Sequence, residues 1–297
     1  MQIKKIIATH GETKSSGLNF NLDETFPGAF PGAWHPPQVP AGAWHQMGIA
    51  IWAVRHKIAI SPMNILAFDT SSSVLSVALK TGRREVSEAK LTGFLQHAEN
   101  LLPLIDRLLK KQKISLNKID RFLIGRGPGS FTGLRVGFAT LKGFLAGSSR
   151  PCHGAASLDM IVENANLPEK SFLAVCLDAG RQRIFFRLYQ RSRGTWRPRA
   201  KVKVLSVEET AAQLPENTFV TGDALRRYAE ALLQAGSGKK FTLLKESFWY
   251  PRAATLIHWT VEKPEALEPL ETSRDFVPRY FRLSEAEERK KYASAGR

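Results

Sequence analysis

Cysteine is nearly missing from this sequence: 297 residues contain two, Cys152 and Cys176. Neither stands in a CxxC spacing, and small or apolar residues flank each. A disulfide scaffold and a zinc ribbon are thereby excluded, and the two read as buried thiols in a reducing cytoplasm. Long apolar runs are missing too. The longest candidate, residues 47–60, is broken by Arg55, His56 and Lys57, short of the roughly 18 residues of a membrane-crossing helix. Lys4 and Lys5 precede only Ile6, Ile7 and Ala8, too small a core for a secretory signal. No Gly-Lys-Ser/Thr closes a glycine-rich loop, so there is no P-loop. Acidic residues are scarce beside basic ones, 27 Asp+Glu against 43 Lys+Arg, for a net charge of +16. That excess favours polyanionic partners without naming one; a basic surface that only keeps the protein dissolved explains it equally well.

Residues 1–62 differ from the rest. They hold FPGAFPGAWHPP, the tetrapeptide GAWH twice (32–35 and 42–45), and four of the seven histidines, His10, His35, His45 and His56. Pro and Gly at this density oppose helix and strand. The segment is expected to be an extension without a fold, or sequence upstream of a true start at Met63, where a clean strand opens.

From Met63 the periodicity reads as α/β. Strands are expected at 65–68, 74–80 and 85–91, a helix at 95–111, a strand at 121–125, a helix at 134–146, a strand at 151–154 and a helix from Leu158. The order then repeats: strands at 172–177, 183–189 and 201–205, a helix at 208–214, a strand at 218–222, a helix at 225–235, a strand at 241–244 and a helix at 252–262. Both halves open on an apolar strand ending in aspartate, LAFDTS and AVCLDAG. The duplication predicts two similar lobes at 63–168 and 169–282, each a mixed sheet flanked by helices, with a charged tail at 283–297.

Five features bear on chemistry or binding. GRGPGSFTGLRVG follows a strand and opens a helix. Its glycines allow a sharp turn and close approach, and free amides at the helix start suit an anion. A dinucleotide fingerprint fits less well, because the glycine spacing is one residue too long and no acidic residue follows about 20 positions on. Asp69, beside Thr70, Ser71 and Ser72, suits a metal–phosphate site or simply caps a turn; Asp178 echoes it. The 95–111 helix shows an apolar arc over half its circumference, and the 134–146 helix has little polar face. Such helices are deeply buried or covered by a partner. His97 has Leu101 four residues on, so no histidine pair shares one helix face. Arg181–Lys203 holds nine Lys/Arg with Tyr189 and Trp196 interleaved. It reads as a phosphate-contacting stretch with aromatic stacking, or as a solvated basic hairpin.

The strings AFDTSSS (67–73), GPGSFTGLRVG (127–137) and VPRYFRLSEAE (277–287), in this order, resemble the TsaB family. The resemblance covers roughly three-quarters of the chain. It implies two ribonuclease-H-like lobes of the actin-like ATPase superfamily. It implies a cytoplasmic, non-catalytic subunit for forming threonylcarbamoyladenosine in tRNA, beside the anticodon. Its partners would be a TsaD-type transferase, a TsaE-type ATPase and tRNA as part of the complex, with self-association when alone and no membrane. ATP and a metal would belong to the partner subunits, with no cofactor or metal required by this chain. Asp69, Ser71, Gly127, Gly129 and Ser130 would form a vestigial nucleotide or phosphate site. Leu101, Leu102, Ile105 and Leu108 on the first helix, with Phe138, Leu141 and Leu145 on the second, would face the transferase. The second-lobe run Asp178-Ala179-Gly180-Arg181-Gln182-Arg183 lacks the family's following glutamate, and the transferase's HxxxH pair is absent at His97. The rival reading is an actin-like kinase or weak ATPase using Asp69 and the Gly127–Gly133 loop.

Overall fold

The computed structural model describes residues 63–93, 97–271 and 275–281. The 1–62 extension and the 283–297 tail lie outside the described residues. Strand β1 (Ile65–Asp69) runs into β2 (Val74–Lys80) and β3 (Ser87–Thr92), an antiparallel meander. Helix α1 (His97–Gln112) leads to β4 (Arg121–Gly125), and α2 (Phe131–Leu145) to β5 (Cys152–Ala155). Strand β4 lies parallel to both β1 and β5. A short helix, α3 (Ser157–Val162), passes to the second lobe.

There the pattern recurs. Strand β6 (Phe172–Gly180) pairs antiparallel with β7 (Arg183–Ser192). The third meander strand is split into β8 (Thr195–Pro198) and β9 (Lys203–Leu205), both antiparallel to β7. Helix α4 (Val207–Gln213), β10 (Thr218–Thr221), α5 (Leu225–Ala235) and β11 (Phe241–Leu243) follow, with β10 parallel to β6 and β11. The expected duplicated, mixed-sheet fold is therefore present.

Alternation along each first strand feeds two cores. Leu66 and Phe68 of β1 meet Leu101, Leu104, Ile105 and Leu108 of α1, with Phe138 and Leu141 of α2. Ile65 and Ala67 face the other way. In β6, Ala174 and Cys176 face the α4 and α5 side, whereas Leu173, Val175 and Leu177 face Tyr189 and Trp196. Helix α3 serves both lobes: Met160 joins a first-lobe core, Leu158, Ile161 and Val162 a second-lobe one. Burial pushes both thiols, Cys152 and Cys176, up to about 12, which makes them inert at neutral pH.

The structure departs from the expectation that the second lobe runs to residue 282. Helix α6 (Ala253–Glu262) and strand β12 (Glu268–Pro269) return to the first lobe. Ala253, Leu256, Ile257 and Trp259 pack against Ile65, Ala78 and Leu123, and β12 pairs antiparallel with β5. The start of α6 is pinned there by polar groups. Ala253 N donates to Ser76 Oγ at 2.9 Å and Ala254 N to Glu88 Oε1 at 3.2 Å. Burial alone would raise the Glu88 pKa; the Arg252 guanidinium at 2.9 Å and the Ala254 amide outweigh it and hold the carboxyl below its ordinary range. An anion at a helix start is stabilising. Among the described residues no helix is long and apolar enough to cross a membrane.

Candidate functional site

The three motifs meet at the C-terminal end of β1. Asp69 is wholly buried. Its Oδ1 accepts from Ser71 N at 2.8 Å and Ser71 Oγ at 2.7 Å, and its Oδ2 accepts from Ser157 Oγ at 2.7 Å. Ser157 Oγ also accepts from Gly127 N at 3.1 Å, so the glycine-rich loop and α3 are tied to one carboxylate. Ser130 N donates to Ser71 O at 2.6 Å. At the head of α2, Ser130 Oγ accepts from Gly133 N at 3.2 Å, a side-chain cap.

Two glycines show how closely these loops press together. A Cβ on Gly129 would lie 2.0 Å from Ser71 O, and one on Gly125 would lie 1.7 Å from Asp69 Oδ2. No side chain fits at Gly125 or Gly129, where the chain's own 69–71 segment lies, and both oxygens of the Asp69 carboxylate already accept from hydroxyls and an amide. The residues present do not fit a metal–nucleotide group. Among the described residues no group of three His, Cys, Asp or Glu side chains could hold a metal ion.

The third motif closes over the second. Arg279 N donates to Arg126 O at 2.9 Å, while Arg126 pairs with Glu268 at 2.9 Å and donates to Asp275 O at 3.3 Å. Arg279 pairs with the same Glu268. The Tyr280 ring lies 4.9 Å from that of Phe131, whose other contact is the Arg135 guanidinium at 3.9 Å.

The second-lobe counterpart is more open. Asp178 accepts from Gly180 N at 2.7 Å and from Arg227 at 3.2 Å. Asp223, which the sequence reading missed, is buried just after β10, and its Oδ1 accepts from Asp178 N at 2.9 Å. Burial, with the Asp178 charge nearby, pushes the Asp223 carboxyl up to about 7. The signal was a glycine and an aspartate directly after the TFVT strand, at the place where the first lobe has Gly125 and the glycine-rich loop.

The helix pair divides in a way the apolar arcs did not show. Leu101, Ile105, Leu108, Phe138 and Leu141 are core residues, sealed inside the first lobe, and so cannot face a partner. Leu145 is partly buried against the same core. Leu102 alone of the seven is open, 52% exposed. Beside it on α1 lie exposed Pro103, Asp106 and Arg107; on α2, which packs against α1, the open positions include Arg135, Ala139 and Gly143. The side chain of His97 lies outside the described residues. Tyr189 and Trp196 are buried, Trp196 donating to Ala165 O at 3.2 Å, so neither can stack on a base.

A model of the family described as TsaD, tRNA N6-adenosine threonylcarbamoyltransferase, matches residues 94–287. The chain is 30% identical over 178 residues to the tRNA threonylcarbamoyladenosine biosynthesis protein TsaB of Haemophilus influenzae, covering 57% of this chain and 75% of that one. To the protein of the same name from Bacillus subtilis it is 25% identical over 230 residues, 76% of this chain and 96% of that one. The chain belongs to the TsaB family. The solved structure of YeaZ from Pseudomonas aeruginosa superposes with a TM-score of 0.60 at 25% identity, covering 74% of this chain and all of that one. In this TsaB-family chain the position four residues after His97 is Leu101, in the core under α1.

Proposed function

We propose that this chain is a non-catalytic subunit for forming threonylcarbamoyladenosine in tRNA, and that it works by docking a TsaD-type transferase on the outer face of α1 and α2. Relatives named for that biosynthesis support its first part. The observation that carries the non-catalytic reading is the closed first-lobe site: Asp69 is saturated by Ser71 and Ser157, and Ser71 fills the glycine cradle. Leu102 supports the docking face, since covering the 52% of it that is open gains about 0.8–1.6 kcal/mol. A TsaE-type ATPase and tRNA would join the pair, and the same face would allow self-association when the transferase is absent.

Co-elution of the full chain with the transferase from the same organism tests this. Leu102→Glu should abolish it, whereas Leu233→Glu, at an equally open position on α5 of the other lobe, should not. Retention of the complex by the Leu102 variant removes the docking face. Saturable Mg–ATP binding that Asp69→Asn abolishes would restore the kinase or ATPase reading.

A further inference from the structure

The split edge of the second sheet carries a feature that transferase docking leaves unused. Between Trp196 and Val204 the chain leaves β8, bends at residues 199–202 and enters β9. Trp196, Val202 and Val204 turn into the core beneath β7. Arg197, Arg199, Lys201 and Lys203 are all exposed. Three neighbouring cations are matched, Arg183 with Glu209 at 3.3 Å, Arg187 with Asp159 at 2.9 Å and Arg191 with Glu169 at 3.9 Å, while Arg193 at the β7–β8 turn is exposed like these four. Among the described residues no carboxylate pairs with any of the four; Lys203 Nζ reaches only the neutral Gln213 Oε1 at 2.8 Å.

We infer that Arg197, Arg199, Lys201 and Lys203 form a strip that binds the phosphodiester backbone of RNA. The choice of RNA rests on the tRNA-modification reading above; the strip itself rests on geometry. An unneutralised row of four cations on one edge suits a linear polyanion. It lacks the apolar side chains that would insert into a lipid surface. With Trp196 and Tyr189 buried, no aromatic platform reads bases there, so binding is through phosphates and independent of sequence. Of the two readings open for Arg181–Lys203, burial of Tyr189 and Trp196 removes the stacking, and the phosphate contact proposed for its second half rests on the exposed cations alone.

The test is fluorescence anisotropy of an unmodified, labelled tRNA transcript against the full chain, alone and co-purified with the transferase, across a salt series. The strip variant is Arg197→Gln, Arg199→Gln, Lys201→Gln and Lys203→Gln. The control variant is Arg83→Gln, Lys111→Gln, Lys113→Gln and Lys118→Gln, an equal charge change on exposed first-lobe positions. The strip variant should lose about tenfold or more in affinity near 0.1 M salt. Its slope of log K against log salt should flatten by about 3, because four phosphates are no longer neutralised. The control should stay within about twofold. An unchanged slope in the strip variant overturns the proposal, as does an equal loss in the control, which would mean diffuse charge. If the strip variant releases the transferase and leaves RNA affinity alone, the strip is a protein contact and the RNA proposal falls. Failure of the parent chain to bind the transferase would count against the docking reading only, because RNA binding is also measured on the chain alone.

Discussion

Each lobe ends its first strand in an aspartate, and the two carboxylates have come to different ends. Asp69 is sealed, holding Ser71 and Ser157 with both oxygens while the glycine-rich loop presses on the residues beside it. Asp178 stays partly exposed, shares Arg227 with solvent, and sits over a second, buried carboxylate, Asp223. In the first lobe a long loop between β4 and α2 folds back over the strand end. In the second only Gly222, Asp223 and Ala224 separate β10 from α5, and this tight turn brings in a charge instead of a lid. The duplicated scaffold thus closes the strand end of one lobe and leaves that of the other half-open.

The contrast predicts unequal costs of removing each aspartate. Asp69→Ala strands an amide and two hydroxyls inside the first lobe. At about 1–3 kcal/mol for each buried orphan, the loss is about 3–9 kcal/mol, enough to unfold a domain of ordinary stability. Asp178→Ala should cost about 1–2 kcal/mol, because it frees only the part-buried Gly180 amide, while Arg227 is itself exposed and takes up water. Urea midpoints of the two variants compare them directly; equal losses would mean that the first-lobe site is not closed.

Acid dependence separates the lobes by a smaller margin. Asp223 has its folded pKa raised from the ordinary 3.8 to about 7, first by burial and then by the Asp178 charge, with Arg226 opposing. Between about pH 4 and 7 the folded state therefore holds a proton that the unfolded state releases. Stability from this group is greatest below pH 4 and falls as pH rises, by about 1.4 kcal/mol per unit. Asp223→Asn keeps an acceptor for Asp178 N and removes the titration. The stability difference, variant minus parent, should grow by up to about 4 kcal/mol from pH 4 to pH 7. A flat difference would show that Asp178, Arg226 and Arg227 already balance the charge.

Much of this was legible in the sequence. The uninterrupted apolar runs of β1 (ILAF), β4 (FLI) and β6 (FLAVCL) mark the central strands of two mixed sheets, because strands buried on both faces must be apolar throughout. The return of α6 was not legible: a helical period says that a face is buried, not against which sheet. The helix pair misled for the same reason. Ile105 and Leu102 are equally apolar, and only the packing of α1 on β1 and β2 decides which one the core takes. Trp196 was misread because its basic neighbours drew attention to charge; strand alternation placed it inward. Asp69, Ser71, Gly127, Gly129 and Ser130 do lie together, but that the group closes on itself depends on Ser157, 88 residues from Asp69.

The smallest expected effect lies at the β6–β7 turn, which has no equivalent in the first lobe, where Ser71–Ser73 turn the chain instead. Arg181 and Gln182 both adopt positive φ, 52° and 57°. A two-residue hairpin of this hand favours Asn-Gly, since a side chain in the left-handed region costs about 1–2 kcal/mol and glycine avoids it. Glycine also frees the unfolded chain, which returns about 0.5–1 kcal/mol. Gln182→Gly should therefore stabilise the protein by up to about 1 kcal/mol, a rise of about 2–4 °C in Tm for a domain of this size. The same change should leave transferase co-elution untouched, because the turn is on the other lobe from α1 and α2. A fall in Tm would mean that Gln182 makes a contact in the second-lobe loop that outweighs its backbone strain, and would mark that half-open end of the sheet, rather than the sealed one, as the place where the fold still holds a constraint beyond stability.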